Sequence, residues 1–496
     1  MRWTSIGLVL LSILFAIPTG QGAQPQAAAR LNVVFIMSDQ HNARALGCYG
    51  NREIRTPNLD RLAKQGTLFT RTICQTGQCV PSRYSIWTGR YARSHGTYSN
   101  GNMQNPQELT VAELFKQAGY ATATFGKHHM VMNEATGNHG FDTVEVPAAG
   151  WRYNEETVLP YDQAHPGRAK VGQSSLPNEE HDCGLIAAKT IEYVRQNKDR
   201  PFVVWCSFHG PHTPICPSLP WARWYDPARL SLPPSLHQID REMPGAEAFL
   251  SKSGIYDSED LYRKTLAYYY GYVSQIDHNI GLVLDELDRQ GLAGRTIVVY
   301  TADHGEMMAE HGAWTKGSTG YEATIRVPLI LRLAGVVPAG KRVDDLACSI
   351  DLLPTLLDAA GLEIPAKVQG KSLLPLVQGK ADPWRKYAFS ELGGSVDNQV
   401  VAATSRTWKY VRFKQGGQVV YEQLFDLVKD PWEMQNLARD TVAQGAGGEL
   451  VKALADWEAT TETTNPVPRA APKAKTDRPR KKAPGAVRNR AAVADR

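Results

Sequence analysis

Four short apolar runs limit what this chain can fold into: residues 32–37 (NVVFIM), 120–125 (YATATF), 201–208 (PFVVWCSF) and 296–301 (TIVVYT). Runs this rich in apolar and β-branched residues read as buried strands, and a fully buried strand needs cover on both faces. Helix signals lie between them. Thr56-Pro57 caps a helix ending at Gly66, Thr110-Val-Ala-Glu113 is a capping box whose helix stops at Gly119, and 272–290 is helical up to the fourth run. Strands alternating with helices predict an α/β fold with a large, mainly parallel or mixed sheet sandwiched by helices. From about Tyr387 the texture changes. Short β-rich runs at 400–403, 408–413 and 423–427, separated by Gly and charged turns, predict a smaller C-terminal antiparallel sheet plus a helix. A length of 496 residues exceeds what one core supports, so the expected division is a main body over 30–380, an α+β subdomain over 385–464 and a tail over 465–496.

The two ends differ from the middle. Arg2, an apolar stretch over 6–17 and the small residues Gly20, Gly22 and Ala23 have the layout of a signal peptide over 1–23, which implies an exported protein, periplasmic or secreted. The tail holds ten Lys or Arg against two Asp, a net +8. The whole chain is +5, so the body is −3. Such a tail buries too little apolar surface to fold alone and is expected to be disordered, with contact to an anionic surface as its possible use. Export excludes nucleic acid as the natural partner. Seven cysteines are too sparse for a disulfide scaffold, and an odd number leaves one without a partner.

Polar clusters follow the predicted strands: Asp39-Gln40 the first, Gly126-Lys127-His128-His129 the second, His209 and Pro211-His212 the third, Asp303-His304-Gly305 the fourth. Beyond the carboxyl ends of parallel strands these groups converge on one crevice. Asp39, Asp303 and His304 form an oxygen-rich set suited to a divalent ion, with the Gln40 carbonyl as a fourth ligand. Any one of them alone could equally be a capped turn. In Cys79-Val-Pro-Ser-Arg83, Pro81 and Ser82 start a helix that leaves Cys79 at its N-terminus, where free amides favour negative charge, with cationic Arg83 one turn on. That arrangement suits a nucleophile and an anionic substrate.

Cys79-Val-Pro-Ser-Arg83 followed by Thr88-Gly-Arg90 resembles the signature of the formylglycine-dependent sulfatase family, within the alkaline phosphatase superfamily. The resemblance runs from Asn32 to about Leu437 and takes in Gly126-Lys127 with His129, Pro211-His212-Thr-Pro214, Asp303-His304-Gly-Glu306 and Lys316. It implies an alkaline-phosphatase-like fold, with 30–380 as the catalytic domain. It implies that Cys79 is oxidised to formylglycine by a formylglycine-generating enzyme, that the aldehyde hydrates, and that residue 79 joins the metal site. One hydroxyl of the hydrate attacks sulfur beside a Lewis-acidic ion, and the second expels sulfate. By the same resemblance Arg83 steadies the hydrate, His129 assists as base, and Lys127, His212 and Lys316 hold the sulfate oxygens. His212 or Lys316 protonates the leaving alcohol.

The chain departs from the family pattern twice: Gln40 stands where many sulfatases have a second aspartate, and His304 where Asn is common. His304 also occurs among relatives acting on phosphonate or phosphate esters. Calcium is the expected ion, with manganese, magnesium or zinc as alternatives. The expected substrate is a sulfated small molecule or glycan, with Trp151, Tyr153, Trp221, Trp224 and Tyr225 in variable stretches that can stack on sugar rings or simply pack. The rival readings are a phosphonate monoester or phosphodiester hydrolase and a non-catalytic glycan-binding protein with an unmodified Cys79.

Overall fold

The computed structural model describes residues 30–131, 137–146, 171–253, 258–317, 319–381 and 383–468. The proposed signal peptide, Trp151, Tyr153 and the basic residues from 469 onward lie outside them.

The four apolar runs are the strands β1 (Asn32–Asp39), β3 (Ala121–Gly126), β5 (Phe202–Pro211) and β6 (Thr296–Ala302). They belong to a 9-stranded sheet with β2 (Thr67–Ile73), β4 (Thr143–Glu145), β7 (Arg326–Arg332), β8 (Lys341–Val343) and β9 (Ala347–Cys348). Its order is β4-β3-β5-β1-β6-β7-β2-β8, with β9 paired to β2. β1 lies at the centre, parallel to both β5 and β6, while β7 runs antiparallel to β6 and to β2. The sheet is therefore mixed.

Alternation along β1 shows why both faces had to be apolar. Val34 and Ile36 enter a core on one face with residues of the helices Pro57–Gln65, Asp182–Gln196 and Glu259–Arg289. Val33, Phe35 and Met37 enter the other, with Val80, Tyr84 and Trp87 of the helix Cys79–Thr88 and with Val111 and Phe115 of Val111–Gln117. Phe35 stacks on Trp205 of β5 at 3.6 Å between centroids. The capping box at Thr110 and Glu113 forms as read. The long helix begins at Glu259, well before the periodic stretch from 272.

Four strands make the second sheet, in the order β10 (Ala388–Ser395), β11 (Asn398–Thr404), β12 (Trp408–Gln415), β13 (Gln418–Asp426), all antiparallel. The helix Gln444–Thr460 covers one face through Leu450, Leu454 and Trp457. Val400, Ala402, Val411 and Phe413 on the other face pack against Ile73, Cys74 and Ile325 of the main body. Buried Lys409 pairs with Glu433 and donates to Gly320 O at 2.7 Å across the same seam. Chain contacts also pass the expected tail boundary at 464, since Val467 N donates to Gly96 O at 2.9 Å. All seven cysteines are free, so the argument from odd parity singles out none of them. Among the described residues no helix is long and apolar enough to cross a membrane.

Candidate active site

β1 and β6 are parallel with Ser38 opposite Ala302. Asp39 and Asp303 are therefore the next pair along two strands spaced about 4.8 Å apart. That spacing lets two carboxylates face one ion. The helix Cys79–Thr88 brings position 79 to them from the other side, with Gln78 as N-cap and Gly89 closing the helix in the left-handed conformation. No acidic residue sits in its first turn, so the positive end of the helix dipole is left facing the crevice. Asn100 Oδ1 accepts from Val80 N at 3.0 Å and fixes that end.

Asp39, Cys79, Asp303 and His304 are all buried, and their donor atoms lie within 4.8 Å of one another. Cys79 Sγ is 3.2 Å from His304 Nε2 and 3.9 Å from Asp39 Oδ1. His304 Nδ1 lies 2.9 Å from Gly305 O, an acceptor only, so the proton sits on Nδ1 and the Nε2 lone pair faces the cluster. Two carboxylates and a free imidazole nitrogen, buried together, fit a divalent metal ion.

Cations close the remaining sides. Arg83, 1 % exposed, donates to Asp39 Oδ2 at 2.7 Å, to Asp303 Oδ2 at 2.8 Å, to Ser207 Oγ at 2.8 Å and to Lys127 O at 2.6 Å. Lys127 Nζ lies 2.6 Å from Asp39 Oδ2 and 3.8 Å from Cys79 Sγ. Lys316 Nζ donates to Cys79 Sγ at 3.1 Å and to Gln40 Oε1 at 2.8 Å. His212 Nε2 stands 3.9 Å from Asp39 Oδ1. Burial alone would raise Asp39, but Lys127, His212, Arg83 and Lys316 hold it well below the ordinary carboxylate range. Burial and Asp39 likewise oppose ionisation of the Cys79 thiol, yet Lys316 and Lys127 bring it well below the usual thiol value. The surroundings of position 79 are thus built to stabilise negative charge. Burial, with Lys316 and Lys127, depresses His212 to about 4.

Two glycines explain how backbone can pass so close. A side chain at Gly126, where φ is +91°, would meet Ser207 O at 2.0 Å, and one at Gly305 would meet Ala323 O at 2.0 Å. Gln40 adopts φ 61°, uncommon for a non-glycine residue, and its N–H donates to Asp303 Oδ1 at 3.0 Å. Its side-chain Nε2 donates to buried Glu306. Gln40 therefore turns its Oε1 to Lys316 and its amide nitrogen to Glu306.

Of the residues picked from the sequence, Asp39, Gln40, Cys79, Arg83, Lys127, His212, Asp303, His304 and Lys316 meet in this one crevice. His129 does not join them in the same way: it is exposed, with φ 60°, and no hydrogen bond ties it to Cys79. The half-buried imidazole beside Lys127 is His128. His209 lies within β5, not beyond it, and pairs with Asp182 Oδ2 at 3.3 Å, because the bulge opposite Asp39 lengthens that strand. The aromatic residues are largely spent on packing. Trp221 is buried against Trp224 and His278, and Tyr225 bonds Ser274 Oγ at 2.7 Å, so neither offers a free face. Trp224 alone of the three is exposed, at 37 %. Reading residues singly missed Glu306, Ser207 and Asn100 as supports.

Fold and site together define an alkaline-phosphatase-like hydrolase, with its chemistry at the carboxyl ends of β1, β3, β5 and β6. A sulfatase family model matches residues 31–362, and a model described as N-sulphoglucosamine sulphohydrolase, C-terminal, matches 309–460. The chain is similar to an arylsulfatase of Clostridium perfringens, 32% identical with 82% of this chain and 90% of the relative covered. It is also similar to an N-acetylglucosamine-6-O-sulfatase of Bacteroides thetaiotaomicron, 26% identical with 86% of each chain covered. Among solved structures it is similar to a phosphonate monoester hydrolase of Silicibacter pomeroyi, with TM-score 0.75, 25% identity and coverage of 87% and 96%. The chain belongs to the sulfatase family and is a sulfuric ester hydrolase.

Proposed function

We propose that this exported enzyme removes sulfate from a sulfated carbohydrate, using a formylglycine made from Cys79 and a divalent ion held by Asp39, Asp303 and His304, with Gln40 beside them. The observation that carries the reading is the ring of buried donors around position 79, faced on its open side by Lys127 and Lys316. When present, the ion would supply Lewis acidity at a sulfate oxygen, and the hydrated aldehyde would supply the nucleophile. His304 favours a first-row transition ion such as manganese over calcium, which takes oxygen ligands.

The chain's own residues do the rest. Arg83 ties both aspartates to one guanidinium and fixes their spacing. Lys127 and Lys316 take the sulfate oxygens, and fixed cations in a secluded crevice stabilise the charge that grows there. Proton delivery to the leaving alcohol falls to Lys316 rather than His212. His212 Nδ1 approaches Thr213 O, so its proton sits there and neutral Nε2 carries none, whereas the charges around Lys316 keep it protonated despite burial. The carbohydrate substrate and export are supported by the relatives' glycan-directed names and by the N-terminal sequence pattern.

The test combines two measurements on protein from its native source. Peptide mass spectrometry should find an aldehyde at residue 79, and sulfated sugars should turn over faster than phosphate and phosphonate monoesters. A thiol in fully active protein rejects the nucleophile. Faster phosphonate turnover favours the second reading, which rests on His304 and on the phosphonate hydrolase neighbour.

A further inference from the structure

Among the described residues a second group of buried donors gathers where β5 meets the start of the helix Asp182–Gln196. A ring nitrogen of His181, a carboxylate oxygen of Asp182 and the sulfur of Cys183 all lie within 4.8 Å of one another. His181 and Asp182 are each 7 % exposed, and Cys183 is fully buried. His209 of β5 faces the same carboxylate, with its Nδ1 3.3 Å from Asp182 Oδ2. The turn that delivers these residues is held firmly. Asn178 Oδ1 accepts from Gln275 Nε2 at 3.1 Å and from Asn279 Nδ2 at 2.8 Å, both on the helix Glu259–Arg289. Gly184 lets that turn lie against the first turn of its own helix, since a side chain there would meet Asn178 O at 1.9 Å.

His181 Nε2 lies 3.0 Å from Cys216 O, which can only accept, so Nε2 carries a proton. Cys183 N donates to His181 Nδ1 at 3.2 Å, which leaves Nδ1 with its lone pair. That nitrogen stands 2.6 Å from Asp182 Oδ1, and neither oxygen of the carboxylate accepts a hydrogen bond. Electron-rich atoms this close in a buried place need a cation beside them. Burial lowers His181, but the charge of Asp182 and its contact with the ring outweigh it and raise the imidazole, so a proton is the competing cation. A proton on Nδ1, however, displaces the Cys183 N–H and makes no use of the thiol. We propose that these four side chains form a second metal site, which takes zinc or a similar borderline-soft transition ion through His181 Nδ1, Asp182, Cys183 Sγ and His209 Nδ1. Two imidazoles, a thiol and a carboxylate suit that class of ion, at bond lengths of about 2.0–2.3 Å, and do not suit calcium. The thiol proton leaves as the ion enters. His181 already has the support that a metal-bound imidazole takes, its outer N–H resting on a backbone carbonyl. The ion pins the start of the helix to the chain between Ser207, which holds Arg83, and His212, which stands near Asp39. It braces the strand that supplies both, whichever ester is cleaved.

The experiment uses the full chain carrying Cys79→Ala, which leaves no thiol in the catalytic cluster. Loaded with cobalt(II), this protein should show a near-ultraviolet charge-transfer band from thiolate to cobalt, and adding Cys183→Ser should abolish it. Zinc retained after dialysis should fall by one ion per chain in the same double variant. His209→Gln alters the least covered of the four positions, so it should keep the parental far-ultraviolet circular dichroism while weakening cobalt binding, followed by that band, at least about tenfold. Absence of the band from the Cys79→Ala protein overturns the site, and so does a band that survives Cys183→Ser. Cobalt affinity unchanged by His209→Gln overturns the four-residue set. If the Cys183→Ser chain does not fold, the titration of His209→Gln decides.

Discussion

Replacing Lys316 by Met removes one cation from the reacting centre and little else. Its Nζ stands 3.1 Å from the side-chain atom of residue 79 and 2.8 Å from Gln40 Oε1. At that separation, and at an effective dielectric constant of about 20, a unit charge interacts with a developing anion by roughly 5 kcal/mol. Part of this is present in the ground state, since bound sulfate is already an anion. The portion realised only in the transition state compares with the loss of one oxyanion donor, about 3–4 kcal/mol, or 100- to 1000-fold in kcat. Stability should respond differently. Lys316 shares its surroundings with Lys127, Arg83 and His212, so its removal relieves repulsion as well as deleting contacts. A net change within about 1 kcal/mol moves the Tm of a domain this large by about 2 °C or less. The assay is sulfate-ester turnover beside a melting curve, with the mass of the residue 79 peptide checked in both proteins. A loss below tenfold, with residue 79 converted in each, would refute the role given to Lys316.

Cys79→Ala should abolish turnover while leaving Tm within a few degrees, because only one small buried group is lost; residual activity at the parental level would contradict a nucleophile derived from this residue. Lys409→Met strands the Glu433 carboxylate in the seam between the two sheets and should cost about 3–5 kcal/mol, read as a lower urea midpoint at constant m. The double change with Glu433→Gln should recover most of it, and a midpoint as low as that of the single variant would show that the pair is not the cause. His95 is depressed to about 3 by burial and by Arg90, and it stays neutral between Ser85 Oγ and Thr97 N. The unfolded chain takes up a proton near pH 6.5 that the folded chain refuses, so stability falls as pH drops from 6.5 toward 3, by an amount on the order of a few kcal/mol. His95→Gln should flatten that part of the pH–stability curve, and an unchanged slope would assign it to other groups.

The strands that carry the site were legible because they are central: a strand covered on both faces must be apolar along its length, as β1 and β6 are. The edge-ward members were not. β2 mixes Thr and Arg, with Arg71 engaged by Glu322 at 3.2 Å, and β7 carries Pro328 opposite the register shift between Phe69 and Thr72. Their antiparallel pairing, which makes the sheet mixed, is a tertiary choice with no local signature. The same distinction holds in the crevice. Cys79 and Arg83 announce themselves by spacing along one helix, whereas Ser207 acquires its role from Arg83, 124 residues away, and Glu306 from Gln40, 266 residues away. His209 was misplaced for a related reason: the strand that holds it runs longer than its apolar residues do, through a bulge set by its neighbour.

Because Asp39 and Asp303 each directly follow the last rung of the β1–β6 ladder, Ser38 opposite Ala302, the gap between them is set by hydrogen bonds at the centre of the sheet. Such ladders open only when the whole molecule does. The anchor therefore has no softer melting step of its own. On heating, the fraction of active enzyme should track the fraction of folded sheet up to the transition, while the lysines around the anchor, carried on connecting segments, remain the parts that sequence change can re-aim without disturbing it.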